Sequence, residues 1–128
     1  MVLVDTSVYV RLLRSGRDPV AELTGRFEST EIAGCDVVRC EVLRGMIRPK
    51  GRADLAAFFA CLVHLPMDYR AWQETEDLAW QLDRAGKVLP LPDLIIAVCT
   101  LRAGAALLTN DAHFAMIPQL RLASWPGV

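Results

Sequence analysis

Four carboxylates stand where the neighbouring residues are apolar or turn-forming. Asp5 closes the run "VLVDTS" (2–7), and Glu41 lies inside "VVRCEVLRGMIR" (37–48). Asp93 follows Pro92 in "LPLPDLIIA" (89–97), and Asp111 follows "AALLTN" (105–110). Each has a local explanation. Asp5, Thr6 or Ser7 could cap a following helix, and Asp111 or Asn110 could cap another. Asp93 would complement the dipole of a first helical turn, and Glu41 could pair with Arg44 at i+3. Capping does not account for Glu41, which sits in mid-helix one turn from Val37, Val38 and Gly45, on or beside the inward stripe. A partly buried carboxylate there needs a cation. If the four converge, they form a site that protons or divalent ions must neutralise. Oxygen-only ligation suits Mg²⁺ or Mn²⁺, and such ions activate water and stabilise the leaving oxygen of a phosphodiester. No nucleophilic Ser, Cys or His is required.

The other candidate ligands offer less. His64 and His113 lack ligand-like spacing, and Cys35, Cys40, Cys61 and Cys99 contain no CxxC pair. All four cysteines fall in apolar or helical stretches and are expected as buried free thiols.

The elements that would position the carboxylates follow from patterning. Apolar content of 53% over 128 residues predicts a single domain spanning residues 1–128 with a real core, and excludes a disordered or fibrous chain. Short apolar strands are predicted at 2–5, 30–34, 63–66, 105–109 and, as an edge, 120–124. Helices are predicted at 7–14, from Asp18 and Pro19 onward, from a cap at Asp36 to before Pro49, at 52–62, at 68–86, from Pro92 to Gly104, and briefly after Asp111. Strands alternating with helices predict a parallel sheet covered on both faces, an α/β/α sandwich with its site at the carboxyl ends of the strands. Asp5 and Asp111 each follow a strand directly. Glu41 lies on the helix after the second strand, and Asp93 enters the helix before the strand at 105–109.

No apolar run is long enough to span a membrane, since "LIIAVCTL" (94–101) stops at Arg102, and no basic region with an apolar stretch opens the chain. A soluble, cytoplasmic protein is expected. Net charge is −1, yet 12 of the 14 basic residues are Arg, and nine of the 14 fall in residues 11–52. Arg suits phosphate, although no basic tail marks nucleic-acid binding.

Together, "VDTS" at the start, "EVLRG" at 41–45, the segment from Gly86 to Ala97 containing "LPLPDLIIA", and "LLTNDAHF" at 107–114 resemble PIN-domain ribonucleases. More narrowly they are similar to the VapC toxins of bacterial toxin–antitoxin pairs, over essentially the whole chain. The resemblance implies a PIN-like fold with a five-stranded, mostly parallel sheet. It also implies that Asp5, Glu41, Asp93 and Asp111 form an acidic quartet binding Mg²⁺ or Mn²⁺ for hydrolysis of tRNA or other structured RNA. Thr109 takes a supporting hydroxyl position in the "TxD" segment, and Thr6 and Ser7 match the positions after the first acid. Asn110 stands where the family frequently has a basic residue. A homodimer and a cognate VapB-type antitoxin filling the groove are implied as partners. Phe58, Phe59 and Trp72 are candidates for dimer or antitoxin surface, with core packing the competing use of the two Phe.

Two other classes share a doubly wound sheet. A haloacid-dehalogenase phosphatase requires a second Asp two residues after the first, where this chain has Ser7. A receiver-type signalling domain requires an acidic pair after the first strand and a Lys after the fifth; the chain has one Asp there and no Lys beyond Lys87.

Overall fold

In the computed structural model, which describes residues 1–125, four short parallel strands lie side by side in the order β3-β2-β1-β4. β1 (Val2–Val4) is buried at every residue, as expected of a strand covered on both faces. It pairs with β2 (Ile32–Gly34) through Val2↔Ile32 and with β4 (Ala106–Leu108) through Val4↔Leu108. β3 (Val63–His64) pairs with β2.

The predicted edge strand at 120–124 is reduced to one bridge, Leu107↔Leu122. Two backbone bonds carry it: Leu107 N–H to Arg121 O at 2.8 Å and Ala123 N–H to Leu107 O at 2.7 Å. Gln119 turns the chain with φ +65°, and Leu122 is left exposed, so no second rung of ladder has a buried face to support it. The sheet therefore has four strands rather than five.

The helices are α1 (Thr6–Arg14), α2 (Pro19–Thr24), α3 (Asp36–Arg44), α4 (Pro49–Cys61), α5 (Tyr69–Arg84) and α6 (Leu91–Arg102). α1 packs against α2 and α3, α3 against α4 and α6, and α5 against α6. Side-chain caps open two of the six helices. Asp18 accepts from Val20 N–H at 3.0 Å, and Asp68 accepts from Ala71 N–H at 2.8 Å. α4 begins at Pro49, three residues earlier than expected, because proline's fixed φ and missing N–H suit a first turn. α6 begins at Leu91, one residue before Pro92. At α3 the cap position belongs to Cys35, and Asp36 lies in the first turn, where it favours the dipole instead of capping. The helix expected after Asp111 is a 3-10 turn, Ala112–Met116. Gly86 and Gly104 end α5 and α6 with positive φ, a conformation that carries no Cβ penalty for glycine.

The core centres on Leu3, Val4, Tyr9, Leu12, Ile32, Ile96, Leu107 and Phe114, all at most 3% exposed. Phe58 and Phe59 both belong to it, whereas Trp72 is exposed. Only Cys35 and Cys99 are the buried thiols expected; Cys40 and Cys61 lie on solvent-facing helix positions. No helix among the described residues is long and apolar enough to cross a membrane.

Candidate active site

Asp5 occupies the N-cap position of α1 but makes no capping bond with its side chain. Its Oδ2 instead accepts from Ser7 Oγ at 2.7 Å and from Thr109 Oγ1 at 2.8 Å, and the residue is only 4% exposed. Each hydroxyl has one proton and directs it at Asp5; each then accepts a backbone N–H, Asn110 onto Ser7 and Asp111 onto Thr109, both at 3.0 Å. This net ties the end of β1 to the segment after β4, where Asp5 N–H also bonds Leu108 O at 2.9 Å. Parallel pairing of β1 with β4 is what brings residues 5 and 109 together.

Glu41 is half-buried on α3, and its Oε1 accepts from Thr6 Oγ1 at 2.8 Å. No Glu41–Arg44 ion pair occurs among the described residues; contact between α1 and α3 supplies the partner instead. Thr6, Ser7 and Thr109 thus each hold an acid that the sequence had singled out.

Asp93 lies in the first turn of α6, half-buried. Burial pushes its carboxyl up to about 6, helped by the like charges of Asp5, Asp111 and Glu41, while His113 acts in the opposite sense. The dipole of α6 would favour the anion, so desolvation and like-charge repulsion outweigh it. The four acids therefore share one electrostatic environment at the carboxyl edge of the sheet.

Asp111 does cap: its Oδ1 accepts from His113 N–H at 2.9 Å, and His113 Nδ1 lies at 2.9 Å from the same oxygen. The local explanation therefore holds for Asp111 without removing it from the cluster, because a carboxylate has a second oxygen. His113 is the site residue that sequence reasoning passed over. Its place two residues after a capping Asp is the local signal that it would meet that carboxylate.

The donor set is entirely oxygen and fits a hard divalent ion. Among the described residues no three His, Cys, Asp or Glu side chains stand close enough to hold a metal ion between them. Each of Asp5, Glu41 and Asp111 turns an oxygen to a neighbouring donor.

Residues 2–120 match the PIN domain, and the chain belongs to that family. Among solved structures it is similar to VapBC from Salmonella typhimurium bound to DNA, with a TM-score of 0.81, 21% identity and 97% of each chain covered. It is also similar to VapBC2 from Rickettsia felis bound to a promoter DNA fragment, with a TM-score of 0.77, 24% identity, and 98% of this chain and 99% of that one covered. VapC20 of Mycobacterium tuberculosis, a sarcin–ricin loop cleaving toxin, matches with a TM-score of 0.68 and 15% identity over 94% of this chain and 99% of that one. At these identities the likeness is one of fold. No curated protein matches the chain by sequence.

Proposed function

We propose that the chain is a single-domain VapC-type toxin, an endoribonuclease dependent on Mg²⁺ or Mn²⁺ that hydrolyses cellular RNA in the cytoplasm and is restrained by a cognate VapB-type antitoxin. The observation that carries this reading is Asp93. Its carboxyl is pushed up to about 6 by burial and by three other carboxylates drawn from other segments of the chain, a concentration of negative charge of the kind that functional sites hold. Membership of the PIN domain family supports the hydrolytic reading. Similarity of fold to a sarcin–ricin loop cleaving toxin supports RNA as substrate, and similarity to VapBC complexes supports an antitoxin partner.

Asp5, Glu41, Asp93 and Asp111 would hold the ion, which when bound supplies charge neutralisation and polarises water and phosphate. Ser7 and Thr109 fix the rotamer of Asp5, and Thr6 fixes that of Glu41. Asp93, with its raised affinity for a proton, holds one at its carboxylate below about pH 6 and is free to ligate above it. A homodimer completes the reading.

The test is metal dependence. Cleavage of structured RNA by the purified protein should vanish in EDTA and return on addition of Mg²⁺ or Mn²⁺. Cleavage that persists in EDTA would exclude the carboxylate mechanism.

A further inference from the structure

Cys35 and Cys99 are buried thiols on the two helices that carry Glu41 and Asp93. Cys35 holds the N-cap position of α3, and Cys99 lies inside α6, which packs on α3. The sheet brings them to one place. Cys99 Sγ lies 3.9 Å from Leu65 O, and Leu65 N–H bonds the oxygen of Gly34, the residue before Cys35, at 2.9 Å. The two thiols also reach each other as hydrogen-bond partners, and they respond in opposite senses. The Cys99 thiol and the N–H groups of Val38 and Val37 at the opening of α3 hold the Cys35 thiol below its ordinary range, against burial and the charge of Asp36. The Cys99 thiol is pushed up, first by its bond to Cys35 and then by burial. One sulfur is thus prepared as a thiolate and its neighbour keeps a proton. A pocket of about 300 Å³ reaches Cys35 past Asp36 and His64, both exposed, so the thiolate has an approach for a small oxidant.

We infer that Cys35 and Cys99 form a redox-reactive pair, which hydrogen peroxide converts to a disulfide that ties α3 to α6 and switches off the acidic site. The bond itself stands on the thiol geometry; its effect on activity rests on the nuclease reading above. In the first step the Cys35 thiolate attacks one peroxide oxygen. An S–O bond forms, the O–O bond breaks, and hydroxide leaves and takes a proton from water, giving a sulfenic acid. Cys99 then attacks that sulfur: the S–S bond forms, the S–O bond breaks, and the hydroxyl departs with the Cys99 proton as water. The peroxide takes up two electrons and the pair of thiols gives them. Bonding draws the two sulfurs to about 2 Å, and a close-packed core passes that movement to the helices that carry them. Cys35 stands six residues before Glu41 on α3 and Cys99 six after Asp93 on α6, roughly 9 Å along each helix, so the movement changes how the two acids face one another.

The experiment treats the reduced full-length chain with hydrogen peroxide in a Cys40→Ser, Cys61→Ser background, which removes the two exposed thiols. Mass spectrometry of a non-reducing digest should show the Cys35 and Cys99 peptides joined, lighter by two hydrogen atoms, and dithiothreitol should separate them. Added Cys99→Ala should stop the reaction at the Cys35 sulfenic acid, trapped by dimedone, whereas added Cys35→Ala should leave Cys99 unmodified. Where either alanine variant fails to fold, the joined peptides and their release by dithiothreitol decide alone. Thiols that both survive peroxide, under conditions that oxidise Cys40 and Cys61 of the wild-type chain, would overturn the pair. RNA cleavage is followed on the same samples and should be lost on oxidation and return with dithiothreitol. A disulfide that forms while cleavage stays unchanged would overturn the switch. A disulfide in a protein that cleaves no RNA even when reduced supports the pair and sinks the nuclease reading alone.

Discussion

Asp5 separates a structural from a chemical role most cleanly. Asn caps a helix about as well as Asp, so a capping residue would tolerate Asp5→Asn at a cost well under about 1 kcal/mol. The Asp5 side chain caps nothing here and receives two hydroxyl protons on one oxygen. Asp5→Asn should therefore lower RNA cleavage by orders of magnitude and abolish growth arrest on expression without antitoxin, with the circular dichroism spectrum unchanged. Glu41→Gln keeps the Thr6 bond and removes the charge, and it should have the same effect on cleavage. Undiminished cleavage in either folded variant would return the residue to a structural role. Asp93 adds a prediction in pH. Its carboxyl holds a proton more tightly in the folded protein, about 6 against an ordinary 3.8, so the folded state binds more protons than the unfolded one between those values. Stability of the metal-free protein should thus fall as pH rises from about 4 to about 6 and level off above. Melting curves of Asp93→Asn should lack that component, so the variant should be the more stable of the two at pH 7 without metal. A wild-type and variant difference that does not change with pH would contradict the shared charge.

At the scale of elements, the site depends on two crossings. β1 and β4 run parallel and in register, and the hydroxyl net of Ser7 and Thr109 spans their ends. α1 and α3 lie side by side, and Thr6 reaches Glu41 across that contact. Thr109 works hardest: it donates to Asp5 and accepts from Asp111 N–H, so a single side chain sets the separation of two acids. Thr109→Val preserves shape and removes both bonds. Cleavage should drop by about 10- to 100-fold, the usual effect of losing a hydrogen-bond partner behind a metal-binding group. Thr109→Ser, which retains the hydroxyl, should recover most of the activity. Equal activity in Val and Ser variants would show that the net is incidental.

At the scale of the whole molecule, one buried side-chain polar atom among the described residues is left without a partner. Tyr9 is fully buried against Phe59, with ring centroids 5.2 Å apart, and its hydroxyl makes no hydrogen bond. An unmet buried hydroxyl costs about 1–3 kcal/mol, so Tyr9→Phe should raise stability by about 1 kcal/mol or more, measured by urea denaturation. A destabilised Tyr9→Phe would mean that the hydroxyl has a partner in solution. The exposed apolar residues are a separate matter from the core. Ile47 is exposed between α3 and α4, and Trp72 and Trp80 face solvent on α5, with Arg84 over the Trp80 ring at 5.0 Å.

What the sequence determined by itself is local. Asp18, Asp68 and Asp111 cap because a short carboxylate two or three residues before an unpaired N–H reaches it whatever the rest of the chain does. Alternation of short apolar strands with helices likewise dictated a parallel sheet, and with it the edge where the acids gather. Tertiary structure decided everything that depends on distance in space. Nothing near Asp5 in sequence reveals that Thr109, 104 residues away, would claim its oxygen, or that Glu41 would choose Thr6 over the nearby Arg44. Strand 120–124 had the composition of an edge but shrank to a single bridge, because a strand needs a buried face as well as suitable residues. Cys40 and Cys61 resemble core thiols in sequence and point outward, since apolar neighbours along a helix do not fix which side meets the sheet. Hydrogen bonds within a few residues are written in the chain; burial and charge repulsion are sums over neighbours that only the folded packing brings together.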